Sequence, residues 1–220
     1  MKKLIVLLTG LLTFCTLAFS QSIMTASEFF KSVSDYYETI KDYEANIDIA
    51  VGNSVMYGKA SFKRPEMLRI DFTSPAEQVI LFNGDKLTIY LPGYSAILEQ
   101  VVDGVSAASA TSAGLSLLRR YYTMSYETGQ AAVPLDGNSE DMVVNLLFYR
   151  RTSTEAFSVI KISFEADTKL IRRVTATTPQ NEVFTFNLTN YNLNTGLTDQ
   201  RFIYDPPSSA NDYNNFLFSE

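Results

Sequence analysis

From residue 45 onward, apolar and polar residues alternate one by one in short runs cut by tight turns, and this period constrains the fold more than any other feature. A strand points successive side chains to opposite faces, so such runs assemble sheets with one apolar face. Ile47 and Ile49 alternate with Asn46 and Asp48, and Tyr57-Gly58-Lys59-Ala60-Ser61-Phe62-Lys63 follows a turn centred on Asn53. Leu68, Ile70 and Phe72 take one side of the next run, with Arg69 and Asp71 on the other. Pro75 punctuates, and Val79-Ile80-Leu81-Phe82 leads into the turn Asn83-Gly84-Asp85-Lys86. Leu87, Ile89 and Leu91 then resume the alternation up to Pro92-Gly93. Further strands are expected over 142–149, 157–165, 170–177, 183–190 and 201–204, after a turn at Asp136-Gly137-Asn138. Ala166-Asp167-Thr168-Lys169 and Thr178-Pro179-Gln180-Asn181 supply hairpin turns between them. About ten antiparallel strands in a meander follow from this pattern.

Two segments break the alternation. Residues 22–41 place Ile23, Ala26, Phe29/Phe30, Val33, Tyr36/Tyr37 and Ile40 at helical spacing, with Thr25 or Ser27 as N-cap and Glu28 in the first turn. Residues 104–129 are rich in Ala, Ser and Thr, then carry Leu115, Leu117 and Leu118 ahead of Arg119-Arg120-Tyr121-Tyr122. They predict a flexible or helical insertion with no strand, the kind of segment that serves as a lid or binding loop. The class is therefore mainly β with helices (α+β): a long sheet curls into a barrel or half-barrel, and helices cover its concave side or plug its mouth. No internal repeat or linker divides the chain, so residues 21–220 are expected to form a single domain.

The start reads as an export signal over residues 1–20. Met1-Lys2-Lys3 is a basic head, the apolar run from Leu4 to about Leu17 is short for a membrane span, and Ala18-Phe19-Ser20 presents small residues for cleavage before Gln21. The expected location is the periplasm. An alternative is cleavage at Cys15, since Leu12-Thr13-Phe14-Cys15 loosely matches a lipobox; the product would be a lipid-anchored protein. Phe14 opposes it, because that site takes a small residue.

Composition removes most chemistry. The chain has no His and no Trp, and Cys15 is its one cysteine. Histidine-based triads, most zinc sites, thiol nucleophiles and disulfides are thus excluded from the exported part. There is no phosphate-binding glycine loop and no calcium-loop spacing. Glu44/Asp48 and Glu140/Asp141 are close carboxylates, but they fall where solvated faces and turns need charge. The Asn187-Leu188-Thr189 sequon lies within an expected strand. No enzyme, cofactor or metal is expected. A formal charge of −6 and a pI near 4.8 also disfavour nucleic acid, which needs a basic face. Apolar residues at 46% supply enough material for a core.

Three segments in order resemble the periplasmic lipoprotein carriers of the LolA family. The first is Gly58-Lys59-Ala60-Ser61-Phe62-Lys63-Arg64-Pro65-Glu66-Met67-Leu68-Arg69. The second runs from Pro75 to Ile80, through Asn83-Gly84, to Leu87-Thr88-Ile89-Tyr90-Leu91-Pro92. The third closes on Phe202-Ile203-Tyr204-Asp205-Pro206-Pro207. The family's usual Trp in the second segment is Thr88 or Ile89 here. The resemblance implies an antiparallel half-barrel with a helical lid over an apolar cavity that holds the acyl chains of lipoproteins. It also implies a periplasmic monomer served by an inner-membrane lipoprotein-releasing transporter and an outer-membrane acceptor; the alternatives on the same scaffold are a lipid-anchored (Cys15) receptor or lipoprotein-sensing domain, or a non-lipid binding module.

By the same resemblance Arg64 is the latch that holds the lid by its backbone carbonyls, and a guanidinium's five donors suit open carbonyls at a helix end. Candidate cavity residues are Leu68, Ile70, Phe72, Ile80, Phe82, Leu87 and Ile89. A half-barrel has two faces, so some of these seven are expected on the wrong one. Leu115, Leu117 and Leu118 would form the inward face of the lid.

Overall fold

A computed structural model describes residues 24–101, 112–137 and 139–215. The expected signal segment, Cys15, Gln21 and most of the Ala/Ser/Thr-rich stretch lie outside the described residues. Helix α1 (Ala26–Thr39) is followed by β1 (Asp42–Val51), β2 (Ser54–Lys63), β3 (Met67–Ser74), β4 (Ala76–Phe82), β5 (Lys86–Leu91) and β6 (Ala96–Val101). Helix α2 (Ser112–Tyr121) precedes β7 (Tyr122–Tyr126), β8 (Val133–Pro134), β9 (Met142–Arg150), β10 (Val159–Glu165), β11 (Ile171–Thr177), β12 (Val183–Leu193) and β13 (Asn211–Asn214).

These strands form a single sheet in the order β13-β6-β5-β4-β3-β2-β1-β12-β11-β10-β9-β7, with β8 on β9. The pairings are antiparallel except β13 on β6, which is parallel. The end strands β13 and β7 do not pair with each other, so the curved sheet stays open. Sheet and helices thus have the expected class, with departures in detail. The insertion contributes a strand, β7, where none was expected, and β6, β8 and β13 were not anticipated. Residues 201–204, expected as a strand, instead lie at a short 3-10 turn, Asp199–Phe202.

Helix α1 forms where sequence spacing places it because its start is capped and one face is apolar. The Glu28 amide donates to Thr25 Oγ1 (3.2 Å) and the Thr25 amide donates to Glu28 Oε2 (2.8 Å), a reciprocal capping box. Hydrogen bonds from Thr25 hold the Glu28 carboxyl below its ordinary range. Ala26, Phe30, Val33 and Tyr37 are buried against one face of the sheet, hereafter the inner face. Phe30 meets Phe148 edge-on at 5.0 Å, and Phe29 meets Phe164 at 5.8 Å and Tyr126 at 6.1 Å. Truncating a ring buried like Phe30 costs about 3–5 kcal/mol. At the irregular register between β10 and β11, the Ile171 amide donates to the Tyr37 hydroxyl and the Tyr191 hydroxyl donates to the Ile171 carbonyl, both at 2.8 Å. Burial pushes both phenols well above their ordinary value, so they stay neutral.

The outer face has a second, smaller core. Val79, Leu81, Tyr90 and Ile97 are buried beneath Phe202, with Leu197 and Tyr204 packed alongside. The segment carrying Phe202 is pinned by Arg69, whose Nη1 donates to the carbonyls of Ile203 (3.0 Å) and Arg201 (3.2 Å) and whose guanidinium lies 5.5 Å from the Tyr204 ring. Asp71 accepts from both Arg69 and Arg201. Partial burial opposes its ionisation, but the two arginines outweigh that and hold its carboxyl below the ordinary 3.8. Of the close carboxylates singled out above, Glu44 pairs with Lys59 at 2.9 Å and Asp141 with Arg172 at 2.9 Å.

Gly58 sits at a register shift between β2 and β3, where a Cβ would lie 2.6 Å from the Asp71 carbonyl oxygen. Gly58→Ala is expected to cost about 1–3 kcal/mol in urea unfolding, since backbone cannot yield cheaply; an unchanged midpoint would contradict the close approach. A group with a lowered folded pKa stabilises above its unfolded pKa, and that stabilisation is lost as pH falls through the folded value. The stability advantage of the wild type over Asp71→Asn should therefore be full near neutrality and shrink below about pH 4. A constant difference across that window would contradict the role given to Asp71.

Candidate functional site

Strand register decides which residues share the inner face, because directly opposed residues point the same way. Leu68 opposes Phe82, Phe82 opposes Leu87 and Leu87 opposes Gln100. Ile70 opposes Ile80, Ile80 opposes Ile89 and Ile89 opposes Leu98. Phe72 opposes Gly58 in continuation of the same side. All seven candidates therefore lie on one face, correcting the expectation that some would fall on the other. The outer face of these strands carries Arg69, Asp71, Val79, Leu81, Thr88, Tyr90 and Glu99 in the intervening positions.

The seven do not share one environment. Ile70 and Phe72 are buried in the main core, and Leu68 and Ile80 are half-buried against it. Phe82, Leu87 and Ile89 belong to neither buried cluster among the described residues, and the same holds for Leu98. Leu87, Ile89 and Leu98 are half-buried. Helix α1 seats Phe29 and Phe30 over β7, β9 and β10 and Tyr37 on β11. Beside buried Phe82, the inner face over β5 and β6 is thus an aliphatic surface outside the main core. Gln100, buried in the same row, directs its side-chain amide to the Val101 carbonyl at 2.9 Å.

Leu115 and Leu118 of α2 are buried in the main core and Leu117 is half-buried. Helix α2 packs on α1 and β7. The two helices therefore form one continuous cover.

Arg64 lies in the turn between β2 and β3, exposed, and its Nη1 donates to the carbonyl of Glu38 in the last turn of α1. Its own amide donates to the Lys41 carbonyl at 2.9 Å. The guanidinium thus meets a helix-end carbonyl, as its chemistry suits, but on α1 rather than on the insertion helix. Helix α1 carries no basic residue in its last turn, so Arg64 also supplies the positive charge that a helix C-terminus favours. The junction is held from the other side too: the Lys41 amide donates to Asn194 Oδ1 (2.8 Å), and the Asp42 carboxylate accepts from the Gly196 amide (3.1 Å).

Leu98 and Gln100 complete the inner rows but were missed because β6 was not anticipated. In β6 both Ile97 and Leu98 are apolar, one on each face, which hides the period of two. Glu38 could not have been found from sequence, since it contributes only a carbonyl.

An open, curved antiparallel sheet with helices over part of its apolar face and an aliphatic surface left beside them defines a binding scaffold. The family model described as outer membrane lipoprotein carrier protein LolA matches residues 52–205. The chain belongs to the LolA family. No curated protein matches it. Among known structures it is similar to an uncharacterized conserved protein from Thermus thermophilus, at 12% identity and TM-score 0.56, covering 84% of this chain and 98% of that one. It is also similar to a LolA superfamily protein from Nitrosomonas europaea, at 11% identity and TM-score 0.42, covering 82% and 98%. A third is lipoprotein LppX from Mycobacterium tuberculosis, at 10% identity and TM-score 0.48, covering 79% and 99%. No helix among the described residues is long and apolar enough to cross a membrane.

The Arg64 tie predicts a local stability effect. Arg64→Ala should raise hydrogen–deuterium exchange at the C-terminal end of α1 with global stability reduced by about 1 kcal/mol, the scale of an exposed charged hydrogen bond. Unchanged exchange there would contradict the tie.

Proposed function

We propose that the chain is a periplasmic, non-enzymatic carrier that shelters the acyl chains of lipoproteins between the inner and outer membranes. The observation that carries this reading is the aliphatic surface of Leu87, Ile89 and Leu98, half-buried on the same face as the core but outside both buried clusters. Membership of a family described as lipoprotein carriers supports it. In this reading the chain receives cargo from an inner-membrane lipoprotein-releasing transporter and passes it to an outer-membrane acceptor.

Energetics favour a cover that resists cargo. Acyl burial from water contributes ~0.8 kcal/mol per CH₂. Two or three long chains would exceed the roughly −20 kcal/mol ceiling of noncovalent binding. A carrier must therefore hold its cargo well short of that gain, or it could not release it. A helix cover tied down by Arg64, and displaced by cargo, raises the free energy of the loaded state and favours release.

Native mass spectrometry of the protein purified from its own cell envelope should show bound acylated material, and Ile89→Glu should lose it at least about tenfold by placing a charge in the row. Empty protein in both cases would contradict the carrier reading. Arg64→Leu should load lipoprotein normally but release it poorly to the acceptor; normal transfer would remove the latch role.

A further inference from the structure

Helix α2 ends in Arg119 and Arg120 and runs directly into β7, whose first residue Tyr122 opposes Arg150 at the end of β9. The next residue, Arg151, donates its amide to the Tyr121 carbonyl at 2.9 Å. Four arginines from two distant stretches of sequence are thereby gathered at one rim of the sheet. Arg119, Arg120 and Arg151 are exposed. Among the described residues none of the four pairs with a carboxylate, whereas Lys59, Arg69, Lys161, Arg172 and Arg173 elsewhere on the sheet all do. Arg150 donates to the Glu155 carbonyl (3.4 Å), and the Arg120 guanidinium lies 5.3 Å from the Tyr121 ring. The acidic groups on the adjacent turns are Glu155, half-buried and reached by the Thr152 hydroxyl at 3.5 Å, and Glu182.

The same rim exposes apolar side chains. Tyr149 opposes Val159, Val159 opposes Thr177 and Thr177 opposes Val183, so a row from Tyr149 to Val183 borders the arginines. Tyr149 is 45% exposed and Val183 43%. Val55 and Tyr57, at 46% and 48%, stand at the start of β2 on the same rim. Aromatic residues beside arginine suit a membrane–water interface, where the ring lies among headgroups and the long basic stem reaches phosphate. A chain of net charge −6 is repelled overall by an anionic surface, so a cluster of four arginines biases which side approaches it.

We propose that the rim formed by Arg119, Arg120, Arg150, Arg151 and Tyr149 docks the protein on an anionic phospholipid bilayer. The proposal deepens the carrier reading and rests on it for its purpose, since acyl cargo is collected and delivered at membranes. Attraction of each basic side chain to an anionic surface is short-ranged and screened by salt.

The test is co-flotation of the purified protein with vesicles of phosphatidylglycerol and phosphatidylcholine, compared with phosphatidylcholine alone. Binding is expected on the anionic vesicles only, weakening as sodium chloride is raised. The combined variant Arg119→Glu, Arg120→Glu and Arg151→Glu should bind at least about tenfold more weakly; the corresponding glutamine variant, with less change of charge, should fall between. Absence of wild-type binding to anionic vesicles, or equal binding by the variants, would overturn the proposal. So would retention of the wild type by polyglutamate in place of vesicles, which would assign the patch to an acidic protein. A fluorescent fatty acid read in parallel separates the two claims: its failure to bind while flotation persists contradicts the carrier reading and still supports docking.

Discussion

An open sheet with one apolar face must have that face covered, and the rest of this structure depends on how the cover is shared out. Folding removes apolar surface from water at roughly 25 cal/mol per Å², so an uncovered face is a standing cost. Here one end of the face is covered from within the chain. Phe30, Val33 and Tyr37 of α1, with Leu115 and Leu118 of α2, fill the concavity over Leu146, Phe148, Ile162 and Phe164. Over β5 and β6 the aliphatic rows continue outside that cluster.

The division is stable because α1 is fixed at both ends. Its start carries a reciprocal cap between Thr25 and Glu28. Tyr37 reaches through the core to a backbone amide that the irregular β10–β11 register leaves available, and Arg64 takes a terminal carbonyl from a turn on the opposite half of the sheet. The cap and the Arg64 tie are exposed, whereas Tyr37 is buried. Breaking a solvent-exposed hydrogen bond costs far less than withdrawing Phe30 or Tyr37. The exposed ties, the Thr25–Glu28 cap and the Arg64 hydrogen bond, therefore give way at less cost than the buried anchors Phe30 and Tyr37. The outer face has no such freedom, because Arg69, Asp71 and Arg201 clamp the chain that shields Val79, Leu81 and Ile97.

Much of this was legible from sequence wherever one face of a strand is apolar and the other polar. The alternation of Leu68, Ile70 and Phe72 with Arg69 and Asp71 gave both the strand and its facing. Reading failed where the period is masked. Ile97-Leu98 is apolar on both sides, because the outer face there has its own core under Phe202. Residues 201–204 have the composition of a strand, yet Phe202 turns inward to that core while Arg69 takes the carbonyls on either side of it. Strand β13 is exposed throughout and pairs in parallel at the edge, so no apolar period marks it. Arg64 was identified by family likeness, but its partner is a carbonyl defined only once α1 and the β2–β3 turn are brought together.

The central claim is that acyl chains lie on the inner face over β3–β6. Photolabelling with a fatty acid carrying a diazirine near its methyl end, followed by peptide mass spectrometry, tests it most directly. The account predicts adducts on peptides carrying Leu68, Ile80, Leu87, Ile89 or Leu98, and their loss in Ile89→Glu. Adducts confined to the outer-face residues Leu197, Tyr204 and Ala210, or labelling that Ile89→Glu leaves unchanged, would contradict it.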